Sequence, residues 1–110
     1  MSPLIMLASY NECRAHVWHF LTSDKQTRTF LETMEAIAVA GADVLPMGEE
    51  RLIYGLVPAY KNVGDAVLLQ IVFAVLDIMR EKNRKFRDPL AYFFKLLTHK
   101  MAIRQSGPSV

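Results

Sequence analysis

The stretch AVLLQIVFAVLDIM, residues 66–79, is the longest apolar segment of the chain and is interrupted only by Gln70 and Asp77. Its apolar residues recur on every side of a helical wheel, which is typical of a helix buried on most sides. The β-branched residues would also suit a buried strand, but the length of the run favours a helix. It falls short of the roughly 18 to 20 apolar residues that cross a bilayer. We therefore predict a central core helix over residues 65–82, with Asp65 as its N-cap.

The N-terminal side of the chain predicts two more helices. Ser9 and Glu12 have the spacing of a capping box, which predicts a first helix over residues 9–21. Polar residues then supply a stop and the next N-cap: Thr22, Ser23 and Asp24. Apolar residues at three- and four-residue steps predict a second helix over residues 25–40, ended by Gly41 in the left-handed conformation.

The segments that flank the core helix carry further start and stop signals. Residues 47–57 are predicted to form a short third helix that ends at Pro58, and residues 60–64 are predicted to form a turn. After the core helix, Asp88 and Pro89 are an N-cap followed by a proline at the first helical position, so a last helix is predicted over residues 89–104. The expected fold is all-α, a compact bundle of about five helices around the central apolar helix.

Composition indicates one folded domain. Hydrophobic residues make up 52% of the 110 residues and charged residues 22%, far from the composition of disordered chains. We expect a single helical domain over residues 1–104 and a disordered tail over residues 105–110. The single cysteine, Cys13, has no partner for a disulfide, and no signal peptide precedes the first helix, so we expect a cytoplasmic protein without membrane contact.

Positive charge is concentrated in the last third of the chain. Residues 80–104 contain eight lysines and arginines but only Glu81 and Asp88 as acids, whereas the whole chain has a net charge of only +2. On the last helix, Tyr92, Lys95 and His99 share the face opposite the apolar residues. The predicted nucleic-acid-binding residues are Arg80, Lys82, Arg84, Lys85, Arg87, Tyr92, Lys95, His99, Lys100 and Arg104. Such a surface suits contacts with phosphates, an acidic protein partner, or simple solvation of helix faces.

Catalysis and metal binding find little support in the sequence. Cys13, His16 and His19 are the only metal-like cluster, but the outer two are six residues apart and point away from each other on a helix. Glu49 and Glu50 suit the first turn of a helix better than an acid and base pair. We therefore expect no metal, no cofactor and no enzymatic activity. A helix-turn-helix reader is also excluded, because the core helix is almost wholly apolar.

The segment RDPLAYFFKLL, residues 87–97, follows an apolar helix and a basic linker. This arrangement resembles the closing helical domain of bacterial plasmid and mobile-element replication proteins, notably replication protein C. In that family an Asn- or Ser-Pro-Gly-Gly-Tyr-Leu sequence starts a basic final helix, whereas residues 88–93 here lack both glycines. The resemblance covers residues 47–104 and implies an accessory or partner-binding role in replication. The family's winged-helix DNA-reading part has no counterpart in this chain.

These observations lead to two expectations about function. The first is a non-catalytic, DNA-associated accessory protein of plasmid or mobile-element replication or maintenance, which contacts nucleic acid through its basic C-terminal end. The alternative is a small protein-binding regulator or inhibitor encoded by a mobile element, with no nucleic-acid contact.

Overall fold

The computed structural model describes residue 21 and residues 23–46, 50–82 and 85–106. Within these ranges the chain forms three helices and no strand: α1 (Asp24–Gly41), α2 (Glu50–Lys82) and α3 (Pro89–Ser106). The all-α prediction is confirmed. The predicted number of about five helices is not matched: the two helices predicted on either side of residues 60–64 run together as α2 and are separated only by a kink at Gly64. The helix predicted over residues 9–21 lies outside the described residues except for Leu21, which is not helical.

The start of α1 follows from a local hydrogen bond. Ser23 has an extended backbone, with φ −150° and ψ 157°, and its Oγ accepts a hydrogen bond from the backbone N–H of Gln26 at 3.2 Å. This satisfies one of the free amides of the first turn, as expected of a serine N-cap. The predicted limits of this helix are therefore confirmed to within one residue.

The end of α1 differs from the prediction in its conformation. Gly41 is itself helical, and the following residue, Ala42, has right-handed φ −61° and ψ −23°. Gly41 lies in a close contact instead, since a Cβ at this position would be 3.1 Å from both methyl carbons of Leu76 on α2. The predicted left-handed terminator is wrong, and the residue instead permits close approach of α1 to α2.

The second helix continues through the predicted stop. Pro58 lies inside α2 on its exposed side, and the helix is broken only at Gly64, where φ is 83° and ψ is 173°. Residues 60–63 are helical, so the predicted five-residue turn is reduced to a single non-helical glycine. A proline removes one backbone hydrogen bond, and packing on both sides of it keeps the segment helical.

The core lies along α2, which packs against both other helices. Buried apolar residues of α2 come from both sides of the Gly64 break: Leu52, Ile53, Leu56, Val57, Ala59, Leu68, Val72, Val75, Leu76 and Met79. The first helix contributes Phe30, Leu31, Met34, Ile37 and Ala38, and the third contributes Leu90, Phe93 and Leu97. The segment that corresponds to the predicted core helix, residues 65–82, contributes five of these α2 residues, as many as the segment before Gly64.

The expectation that this helix is buried on most sides is wrong for one face. Phe73 is 40% exposed, and Gln70 and Asp77 on the same side are exposed, while Ile71, about 160° around the helix from Phe73, is half-buried. Within the described ranges, one segment, Arg51–Lys82, is long and apolar enough to cross a membrane by length and composition alone, and 33% of its most apolar window is buried. The sequence analysis predicted no helix of this length, because it treated residues 47–57 and 65–82 as two separate helices.

The start of α3 agrees with the predicted cap. Oδ1 of Asp88 accepts a hydrogen bond from the backbone N–H of Ala91 at 3.2 Å. The backbone carbonyl of Asp88 accepts a second one from the backbone N–H of Tyr92, also at 3.2 Å. The helix runs to Ser106, two residues into the predicted tail, and residues 107–110 lie outside the described ranges. The cap at Asp88 therefore fixes where α3 begins, and α3 carries Tyr92, Lys95, His99, Lys100 and Arg104 of the predicted binding residues.

Candidate nucleic-acid interface

Arg80, in the last turn of α2, is engaged in binding carboxylates of its own chain. Its Nε and Nη2 donate to the two carboxylate oxygens of Asp43, both at 2.9 Å, and its Nη1 donates to Asp77 at 3.4 Å. Its Nη2 also donates to the carbonyl of Ala40. The hydrogen bond from Arg80 lowers the pKa of Asp43, and the same bond raises the pKa of Arg80. Arg80 therefore joins the end of α2 to the α1–α2 connection, and two carboxylates balance its charge.

A second arginine reaches the same end of the fold from a distant part of the sequence. Arg51, in the first turn of α2, makes a bidentate ion pair with Asp88, with N–O distances of 3.1 and 3.2 Å. This hydrogen bond, with that from Ala91, holds the pKa of Asp88 below its usual value. The sequence analysis did not select Arg51, and no local signal would have done so, because its partner is 37 residues away.

Lys85 and Arg87 are the exposed cations of the linker between α2 and α3. Among the residues that the structure describes, neither takes part in an ion pair. Lys82, at the end of α2, is exposed as well, and Arg84 lies outside the described residues. The charge of Lys85 and Arg87 is thus available to a ligand.

Two open clefts lie beside these linker cations and share Pro89 in their walls. The first, named here the Phe86 cleft, has a volume of about 570 Å³ and is lined by Asp43, Val44, Met79, Arg80, Lys85, Phe86 and Pro89. The second, named the Arg87 cleft, has a volume of about 510 Å³ and is lined by Pro46, Arg51, Arg87, Asp88 and Pro89. Among the residues that the structure describes, the two clefts contain four cationic side chains and two carboxylates, and each of these carboxylates is bound by an arginine.

The aromatic residue of the predicted surface is partly covered. Tyr92 is half-buried and stacks on Phe86, with ring centroids 4.5 Å apart and an angle of 23° between the ring planes. Tyr92 was expected to face outward, but the linker folds back over α3 and places the Phe86 ring against it. Phe86, which the sequence analysis did not select, contributes to the wall of a cleft.

The remaining predicted cations are distributed around α3 instead of forming one stripe. Lys95 and His99 are exposed on the outward face, as predicted. At about 100° per residue, Lys100 and Arg104 lie roughly 140° and 180° around the helix from Lys95. Lys100 is half-buried and Arg104 is exposed. The predicted continuous surface is therefore concentrated near the linker and becomes divided further along α3.

No group of three or more histidine, cysteine, aspartate or glutamate side chains able to hold a metal occurs in the described part of the chain. Cys13, His16 and His19, the cluster weighed from the sequence, lie outside it. Glu49 lies outside it as well, and Glu50 is the first residue of α2.

A functional inference therefore rests on the geometry of the linker and α3 and on the resemblance of residues 47–104 to the closing helical domain of replication proteins. No family model, no curated protein and no solved structure matches this chain.

Proposed function

We propose that this chain is a non-catalytic, DNA-associated accessory protein that binds phosphates through its basic end, defined as residues 82–104. One observation carries the proposal: Lys85 and Arg87 are exposed and have no ion pair within the described ranges, and they lie at two adjoining clefts. Cations placed in this way neutralise phosphates and release the counterions condensed on nucleic acid.

The carboxylates near the linker do not cancel this effect. Asp43 and Asp88 are each bound by an arginine through two hydrogen bonds, so neither is an isolated negative charge, although Arg80 is shared between Asp43 and Asp77. α3 itself contains no aspartate or glutamate between Pro89 and Ser106. The basic end therefore presents a positive potential to an approaching polyanion.

The length of α3 suits an extended ligand. The helix has 18 residues, which corresponds to about 27 Å along its axis. Lys95 lies within its first half and Arg104 in its last turn. A nucleic-acid backbone that follows the outward face of α3 from the linker would meet Lys95 and His99, whereas Arg104 lies on the opposite side of the helix.

A role in plasmid or mobile-element replication is the narrower part of the proposal. It is supported by the resemblance of residues 47–104 to the closing helical domain of replication proteins. Contacts that go to phosphates position a protein on nucleic acid without reading its sequence. We therefore expect binding with little sequence preference, as suits an accessory protein.

The test is a fluorescence anisotropy titration with labelled DNA at low and at raised salt. We expect the logarithm of the affinity to fall linearly with the logarithm of salt concentration, with a slope of about −0.9 per phosphate contact on duplex or about −0.7 on single strands. The double variant Lys85→Glu/Arg87→Glu should lose most of the binding. The matched control is Lys25→Glu/Arg28→Glu, which makes the same change in charge at exposed positions of α1 and should bind more strongly than the linker variant.

Equal losses in both double variants would show that only net charge matters and would contradict a site at the linker. Absence of binding at low salt would overturn the proposal altogether. The alternative of a protein-binding regulator would then be favoured by partners that remain bound in a pull-down after nuclease treatment.

A further inference from the structure

We infer that copies of this chain associate head to tail, with the outward face of α1 in one copy seated in a groove between α2 and α3 of the next. This α2–α3 groove is lined on α2 by Gly55, Pro58 and Ala59 and on α3 by Phe94, Leu97 and Met101. The inference does not depend on the nucleic-acid binding proposed above. It is carried by the apolar groove, by an exposed apolar side chain on α1, and by the opposite charges that surround the two.

The α2–α3 groove has the chemistry of a helix-binding site. Its volume is about 310 Å³, and its lining contains apolar residues with Asn62 and Thr98 but no charged side chain. From Gly55 to Asn62 it follows two turns of α2, about 10 Å along the axis. A groove of this kind takes the apolar face of an amphipathic helix.

The two helices that form the groove carry no acidic residue along it. Residues 51–64 of α2 contain no aspartate or glutamate, and neither does α3. Lys61 is exposed next to Asn62, and Lys95 is exposed one turn before Thr98. A helix that enters the groove is therefore favoured when acidic side chains flank its apolar face.

The outward face of α1 has the complementary pattern. Val39 is 70% exposed, more than any other large apolar side chain in the described part of the chain, so it does not lie in the groove of its own molecule. Glu32 and Glu35 are exposed on the same face, and Ala36 is half-buried beside them. These four positions have the i, i+3, i+4, i+7 spacing of a helix that binds in a groove, and they cover two turns, as the groove does.

The charge of this face is acidic without interruption. No lysine, arginine or histidine occurs from Thr29 to Ala42, whereas the groove is flanked by lysines. An acidic helix with one apolar anchor and a cationic apolar groove are thus parts of the same chain, always present at equal concentration. This complementarity favours a second copy as the occupant over a different protein.

The two surfaces lie on different parts of the molecule, so the contact is heterologous. A pair of copies leaves one α2–α3 groove and one α1 face unused. Contacts of this type produce a ring when the rotation closes and an open chain when it does not. We therefore expect assembly that continues beyond the dimer as concentration rises.

The experiment is sedimentation velocity on the purified full chain, without nucleic acid, over a series of concentrations at low and at raised salt. We expect the sedimentation coefficient to rise with concentration beyond that of a dimer, and to rise less at high salt. Val39→Gln, which removes the apolar anchor, should weaken association about tenfold or more. Lys61→Glu/Thr98→Glu, which places carboxylates beside the groove, should weaken it by a similar factor of about ten.

The matched control is Lys25→Glu/Arg28→Gln, which changes the net charge by the same amount at exposed positions of α1 outside residues 32–39. It should associate as the parent chain does. Val39, Lys61 and Thr98 are exposed, so both test variants should keep the helical circular dichroism of the parent.

Mixing the two test variants separates a head-to-tail contact from a symmetric one. The Val39→Gln chain keeps an unchanged groove, and the Lys61→Glu/Thr98→Glu chain keeps an unchanged α1 face. An equimolar mixture can therefore form one intact contact, and we expect a dimer with one copy of each variant that does not grow further.

A parent chain that stays monomeric over the whole concentration series would overturn the inference. A mixture in which the variants do not pair would overturn it as well. Neither result affects the proposed nucleic-acid binding, which is tested separately by the anisotropy titration with Lys85→Glu/Arg87→Glu.

Discussion

Gly55 is the position at which the ring of Phe94 packs against α2. A Cβ at residue 55 would lie 2.2 Å from Cζ and 2.4 Å from Cε1 of that ring. Gly55→Ala gains about 1 kcal/mol in helix propensity, but it forces two packed helices apart or moves the ring, and the steric cost is larger. We expect a net loss of roughly 1 to 2 kcal/mol in the free energy of unfolding, measured by urea denaturation.

The control for this prediction is the same substitution in a Phe94→Leu background. Leucine removes the ring atoms that a Cβ at residue 55 would meet, so helix propensity should dominate and Gly55→Ala should become neutral or stabilising. A single Gly55→Ala variant that is as stable as the parent protein would show that the Phe94 ring moves aside at no cost.

The break in α2 is an element-level feature that depends on one backbone conformation. Gly64 has φ 83° and ψ 173°, a region that is essentially restricted to glycine, and no atom lies within 4 Å of a Cβ at this position. Substitution should therefore cost backbone strain but no steric clash. We expect Gly64→Ala and Gly64→Leu to lower the free energy of unfolding by similar amounts, about 1 to 3 kcal/mol each.

Chemical denaturation followed by circular dichroism measures both variants. Asn62→Ala serves as the control, since residue 62 is exposed and helical and its substitution should change stability by no more than about 0.5 kcal/mol. A Gly64→Ala variant with unchanged stability would indicate that the two parts of α2 form one continuous helix in solution. A much larger cost for leucine than for alanine would indicate crowding instead of strain.

At the level of the whole molecule, α2 is the element through which α1 and α3 share one core. Met34 on α1 and Leu97 on α3 are both buried, with 0% and 2% of their surfaces exposed. We expect Met34→Ala and Leu97→Ala each to cost about 2 to 5 kcal/mol, and each variant to unfold in a single transition that is the same by far- and near-ultraviolet circular dichroism.

Val39→Ala is the matched control, because Val39 is 70% exposed and should contribute no more than about 0.5 kcal/mol. If Leu97→Ala produced two separate transitions, α3 would be a unit that unfolds independently of the core. The basic end would then be attached to the domain without being positioned by it.

Local chemistry made the helical class and several boundaries predictable. Ser23 and Asp88 cap helices through hydrogen bonds to residues three positions ahead, so a short window of sequence contains both partners. The predicted turn over residues 60–64 includes the observed break at Gly64, but four of its five residues are helical. The predicted stop at Pro58 was wrong, because tertiary packing outweighed the single hydrogen bond that proline removes.

The sequence by itself determined that the chain is helical, that residues 66–79 belong to the core helix, and that cations are concentrated over residues 80–104, since these depend on composition and on neighbours within one or two turns. The availability of those cations depended on tertiary structure. Arg80 is bound to Asp43 and Arg51 to Asp88 across 37 residues in each case, which leaves Lys85 and Arg87 at the clefts. Contacts between residues so far apart in the sequence depend on how the helices pack, and a short window of sequence does not predict that packing.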